Sequence, residues 1–140
     1  MKSFVSTSAL ETTAYGERIA AHLKGGEVIA LIGDLGAGKT TLAKGIARGL
    51  GVEDEVVSPS FTLIQQYEGR LALTHIDLYR LDGSEEFEMI GGEEFLYTDG
   101  VTLIEWAEKI GDLLPKDLKK ITIAIEENLD RTITVEGITL

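Results

Sequence analysis

The apolar run Val28-Ile-Ala-Leu-Ile32 passes directly into Gly33-Asp34-Leu35-Gly36-Ala37-Gly38-Lys39-Thr40-Thr41. Five consecutive apolar residues closed by glycine read as a short strand covered on both faces. Beyond the glycines, Leu42, Ala43, Ile46, Ala47 and Leu50 recur at helical spacing, and Gly51 supplies a stop. The intervening Gly33-x-x-x-x-Gly38-Lys39-Thr40 has the spacing of a phosphate-binding loop. Its glycines let successive backbone N–H groups turn inward on anionic oxygens. A side chain at Gly38 would hold the backbone away from a phosphate, and Gly36 suits a backbone shape that other residues resist. Lys39 would bring a point charge to β- and γ-phosphates, and the Thr40 hydroxyl is a ligand for Mg²⁺. A helix expected over Thr40 to Leu50 adds the positive end of its dipole. A plain glycine-rich turn is the simpler alternative, but the motif has both flanking elements that its chemistry requires.

The rest of the chain reads as strands interleaved with helices. Ser8-Ala-Leu-Glu11 has the form of a capping box, opening a helix with Leu10, Ala14, Ile19 and Leu23 on one side and Gly25-Gly26 as its stop. Leu63–Tyr67 and Leu71–Ile76 read as a hairpin joined by Glu68-Gly69-Arg70. Ser84-Glu-Glu caps and charges a short helix, and Val101–Ile104 is a buried strand ending on Glu105. Alternating Ile121, Ile123 and Ile125, then Ile133 and Val135, predict a C-terminal antiparallel hairpin turning around Asn128 to Asp130. The expectation is one α/β domain over residues 1–140: a three-layer sandwich of the P-loop type with a mixed, largely parallel central sheet.

A formal charge of −11 argues against a direct grip on DNA, RNA or an anionic membrane, which need basic patches. With no cysteine there is no disulfide, thiolate metal site or thiol nucleophile. No basic-then-apolar leader and no apolar run of about 18–20 residues occurs, so the cytoplasm is the expected location.

Binding a nucleotide needs only the loop, whereas hydrolysis also needs an acid near Mg²⁺ and a group that places water. Such acids sit at the C-terminal ends of neighbouring strands. Asp77, ending "LALTHID", and Glu105, ending "VTLIE", both fit, as would solvent-facing strand-end acids in a chain with 24 of them. His75 shares a strand face with Asp77; it either positions water or packs with a hydrogen-bonded ring, the second being the plainer reading. His22 falls on a polar helix and Trp106 reads as core or contact surface. Asn-Lys-x-Asp, which would read guanine, is absent, as is Asp-x-x-Gly, so ATP is the expected nucleotide. A small-metabolite kinase would need an arginine-rich clamp and lid, yet the five arginines are scattered. A nucleotide-gated binding module with negligible turnover is the remaining alternative.

Four stretches in order, "GDLGAGKTT" (Gly33–Thr41), "SPSFTL" (Ser58–Leu63), "HIDLYRL" (His75–Leu81) and "IEWAEK" (Ile104–Lys109), resemble the TsaE family over nearly the whole chain. The resemblance implies an ATPase acting with TsaD and TsaB, which place threonylcarbamoyl on an adenosine beside the tRNA anticodon. Hydrolysis would support repeated turnover, and tRNA would be met only through those partners. It further implies that Gly33 to Thr41 cradle ATP, that Thr40 and Glu105 hold Mg²⁺, and that Asp77 sits by the γ-phosphate with Lys39. Ser58, Pro59, Ser60, Phe61 and Thr62 would form a switch loop, and Thr12 and Arg131 would approach the adenine or ribose. Two positions depart from the family pattern, which commonly has Thr at Ser60 and Pro at Ala107. Serine lacks the methyl group that stiffens χ1, and alanine lacks a fixed φ just beyond the Mg²⁺ acid.

Overall fold

A computed structural model describes residues 1–34, 36–57 and 63–140. In chain order the elements are β1 (Lys2–Ser6), α1 (Ala9–Ala20), β2 (Val28–Gly33), α2 (Lys39–Gly49), β3 (Ile64–Tyr67), β4 (Leu73–Asp77), α3 (Ser84–Met89), β5 (Val101–Glu105), β6 (Lys119–Ile125) and β7 (Arg131–Glu136). Short 3₁₀ segments, Gly92–Leu96 and Ala107–Leu113, lie on either side of β5 in the chain. The described strands form one sheet in the order β1-β7-β6-β2-β5-β4-β3. Its middle is parallel: β2 lies between β5 and β6, and β4 pairs with β5. The flanks are antiparallel, with β3 on β4, β7 on β6 and β1 on β7. The expected hairpins thus make the two sides of a parallel centre.

Alternation along each strand divides the core between two faces. Ile29, Leu31, Leu73, Leu103, Ile121 and Ile123 pack beneath α1 and α2. Val28, Ala30, Ile76 and Ile104 face Phe87 of α3, Leu96 and Ile110. Two layers of apolar contact around one sheet give the three-layer sandwich.

The crossing of α1 and α2 depends on missing side chains. A Cβ on Gly45 would stand 2.3 Å from the Thr13 carbonyl oxygen, and one on Gly16 would stand 2.7 Å from that of Leu42. The helices therefore touch backbone to backbone, with Ile19, Leu42 and Ile46 closing over the strands. This approach sets the inner face of α1 as Thr12, Gly16, Ile19 and Ala20. The expected stripe is corrected accordingly: Leu10 and Ala14 are exposed, while Ile19 and Leu23 are buried.

Three local readings also change. Ser8 Oγ accepts from Glu11 N at 3.1 Å, as a capping box requires, but Glu11 Oε1 accepts from Thr7 N and the Thr7 hydroxyl, both at 2.6 Å. Helix α1 ends at Ala20, before the Gly25-Gly26 pair, where the Arg70 guanidinium donates to the carbonyls of Ala20 (2.8 Å) and Leu23 (3.3 Å). Those are orphan acceptors of a helix terminus. Gly83, not Ser84, is the N-cap of α3, and the Ser84 hydroxyl instead donates to Asp112.

Candidate active site

Parallel strands deliver their C-terminal ends to one edge of the sheet, where α/β proteins collect ligands. Gly33 ends β2, Asp77 ends β4 and Glu105 ends β5. Register places Glu105 opposite both Leu31 and Asp77. By alternation His75, Asp77 and Glu105 share the sheet face that carries Leu73 and Leu103, the face covered by α1 and α2. The acids therefore lie on the side of the sheet where α2 begins at Lys39.

The loop preceding α2 has the backbone expected of its glycines. Gly36 (φ +82°) and Gly38 (φ +110°) are left-handed, and among the described residues, adjoining ones aside, no atom lies within 4 Å of a Cβ built on either. Backbone shape, not crowding, selects glycine there. The loop carbonyls are braced from outside: Arg131 Nε donates to Ala37 O at 2.9 Å and Nη2 to Gly36 O at 3.4 Å. Arg131 Nη1 also donates to the Leu129 carbonyl. Leu35 and the expected switch loop, Ser58 to Thr62, lie outside the described residues.

One carboxylate joins the charged groups. Lys39 Nζ is 3.3 Å from Glu105 Oε1, and His75 Nε2 is 2.9 Å from Glu105 Oε2. Burial pushes the Glu105 carboxyl up, but the hydrogen bond and electrostatic attraction from His75 and the Lys39 ammonium outweigh it, leaving the group below its ordinary value. Glu105 is consequently an anion even though only 6% of it is exposed. Asp77, also buried, accepts from Tyr79 N through Oδ1 at 2.9 Å. Beyond Glu105 the chain turns through Trp106 in a left-handed conformation (φ +61°). Half-exposed Trp106 lies at the rim, its ring 5.3 Å from that of Tyr79 and 5.9 Å from Lys39 Nζ. His22 is exposed, as expected.

Thr12 and Arg131 meet across a cavity of about 260 Å³ that Ser6, Gly38, Thr41 and Leu129 also line. The Thr12 side chain is buried, its hydroxyl 2.7 Å from that of Ser6. The cavity lies between the start of α1 and the glycine loop.

The family model described as threonylcarbamoyl adenosine biosynthesis protein TsaE matches residues 6–133. The chain belongs to the TsaE family. A Treponema pallidum (strain Nichols) protein named tRNA threonylcarbamoyladenosine biosynthesis protein TsaE is 44% identical over 131 residues, covering 94% of this chain and 97% of the relative. A Bacillus subtilis (strain 168) protein of the same name is 43% identical over 129 residues, covering 91% and 80%. The crystal structure of Bacillus subtilis YdiB aligns with a TM-score of 0.80 at 38% identity, covering 99% of this chain and 86% of that one.

The donor set in this TsaE-family chain suits Mg²⁺ held jointly with phosphates. That ion takes one or two carboxylates and fills its octahedron with phosphate oxygens and waters. Among the described residues no group of three or more His, Asp or Glu side chains forms a closed metal cage. Thr40, in the first turn of α2, and Glu105 are the residues that fit such sharing. No helix among the described residues is long and apolar enough to cross a membrane.

For two residues named from the sequence, the partners were not foreseen. His75 is indeed buried and hydrogen-bonded, but its partner is the site acid, 30 positions away. Arg131 acts as a brace on the loop, 94 positions from Ala37. For His75 a signal existed: it shares strand parity with Asp77, and β4 and β5 are neighbours. For the contact of Arg131 with the loop carbonyls there was none.

Proposed function

We propose that this chain is an ATP hydrolase of tRNA threonylcarbamoyladenosine formation. It acts with TsaD and TsaB homologues and is slow without them. The observation that carries the reading is the Lys39–Glu105 pair at 3.3 Å beside the glycine loop in a TsaE-family chain. An ammonium and a carboxylate at the start of α2 are the groups that a triphosphate with its cation would separate. Bound ATP·Mg²⁺ supplies a phosphoanhydride and a cation that neutralises its oxygens. With both bound, Lys39 would face the phosphates, Thr40 and Glu105 would hold the cation, and Asp77 would orient water on the same strand edge.

Slow intrinsic turnover is supported by where four of the five arginines lie. Arg18 sits over the Phe4 ring, Arg48 pairs with Glu17, Arg70 caps α1 and Arg131 braces the loop. Without a cation stationed at the γ-phosphate, P-loop hydrolysis is slower by about 10³–10⁵. The charge of −11 leaves tRNA to the partners.

Glu105→Gln and Asp77→Asn keep side-chain shape and remove charge. Each is expected to lower single-turnover hydrolysis by roughly 10²–10³ while ATP affinity changes much less, because charge placement counts most in the transition state. Quenched-flow turnover alongside calorimetry checks this. Unaltered turnover in both variants would make the acids structural.

The decisive assay is threonylcarbamoyl transfer to tRNA by TsaD and TsaB homologues over many turnovers. Wild-type chain is expected to raise the yield, and Lys39→Ala is expected to match the reaction lacking it. Equal yields in all three would refute the reading. Efficient phosphorylation of a small metabolite by the isolated chain would favour a kinase, and tight ATP binding with partner capture but no hydrolysis would favour a nucleotide-gated module.

A further inference from the structure

His75 is fully buried in the middle of β4, opposite Leu103, yet it carries two ring nitrogens into an apolar layer. Nε2 meets Glu105 Oε2 at 2.9 Å, and Nδ1 has no hydrogen-bond partner among the described residues. A carboxylate that faces an ammonium on its other oxygen accepts hydrogen bonds, so Nε2 is the donor here. A residue kept here for packing alone would be apolar, like its neighbours Leu73 and Ile76, and would leave no orphan nitrogen. Among the described residues, the ring's one polar contact is with Glu105.

Glu105 thus has two arms of different permanence. Lys39, on Oε1, lies at the mouth of the site with 13% of its side chain exposed. A triphosphate offers that ammonium more negative charge than one carboxylate does. His75, on Oε2, is sealed in the core and has no other acceptor among the described residues. We infer that His75 is a positioning residue: its Nε2–H holds the Glu105 carboxylate so that Oε1 stays turned toward the start of α2 after Lys39 leaves it. Outer partners of this kind fix the plane of a cation-binding carboxylate, and their loss typically costs about 10–100-fold in metal affinity. This inference rests on the reading of the site as one for ATP and Mg²⁺.

The test measures ATP affinity by calorimetry with Mg²⁺ and with chelator, on the complete chain and its His75→Gln, His75→Asn and His75→Leu variants. The ratio of the two affinities reports the cation's hold without requiring hydrolysis. A Gln amide reaches the Nε2 position, whereas an Asn amide stops near Nδ1. Wild-type and His75→Gln protein are expected to share the Mg²⁺ gain, and His75→Asn and His75→Leu to lose about 10–100-fold of it, with chelator-measured affinity unchanged. Melting curves restrict the comparison to folded variants, and the Gln–Asn contrast serves if the Leu variant does not fold. An undiminished gain in His75→Asn, or a loss as large in His75→Gln as in His75→Asn, overturns the inference while leaving the ATP site standing. Wild-type protein that ignores ATP·Mg²⁺ removes both.

Discussion

Lys39→Ala is expected to bind ATP·Mg²⁺ about 10- to 150-fold more weakly than the wild-type chain. Losing a hydrogen bond to a charged group costs roughly 1.5–3 kcal/mol, and each 1.4 kcal/mol is about tenfold in affinity. The deletion also exposes incoming phosphates to Glu105, whose Oε1 is 3.3 Å from the lost ammonium. The fold should survive, because Glu105 keeps its bond to His75. Calorimetry on the folded variant decides the matter, and an unchanged dissociation constant would end the P-loop reading of this site. GTP bound as tightly as ATP would overturn only the choice of nucleotide.

The largest expected loss of stability comes from a single methyl group. Gly45→Ala improves helix propensity by up to about 1 kcal/mol, yet its Cβ would lie 2.3 Å from the Thr13 carbonyl oxygen. That atom belongs to helix backbone and cannot swing aside, so α1 and α2 must separate. Overpacking of this kind typically costs about 1–3 kcal/mol net, which lowers the melting temperature by roughly 3–12 °C in a domain of this size. Gly111→Ala is the matched control, since among the described residues, adjoining ones aside, nothing lies within 4 Å of its Cβ position; it should be neutral or slightly stabilising. Equal melting temperatures for the two variants would mean that the helices part without cost.

What the chain announces locally was legible, and what depends on distant partners was not. The glycine loop, β2 and β5 carry their signals in consecutive residues, so strand, turn and helix could be read together. Strand β1 was not anticipated. Its inward positions are Phe4 and Ser6, and a serine facing inward breaks the apolar alternation on which such a reading depends. The inner face of α1 was misassigned because Leu10 and Ala14 look apolar, whereas the face is chosen by Gly16, where α2 can approach. Asp77 and Glu105 were found from strand position, but only the register of β4 on β5 makes them neighbours. The roles of Arg70 and Arg131 as donors to backbone carbonyls have no local pattern at all.

The order of strands has a consequence for the timing of assembly. Strand β2, which supports the glycine loop, hydrogen-bonds on one edge to β5 and on the other to β6. Both neighbours are translated more than 65 residues after it. A ribosome that has completed the loop, α2 and the β3–β4 hairpin has therefore made a Lys39 with no Glu105 to face and a β2 with two open edges. Pairing must wait for β5 to insert between strands already made. Such late, long-range closure is slow relative to local folding, and unpaired apolar edges are where nascent chains associate wrongly. The nucleotide site is thus among the last features of this molecule to come into existence, although its signature is among the earliest to leave the ribosome.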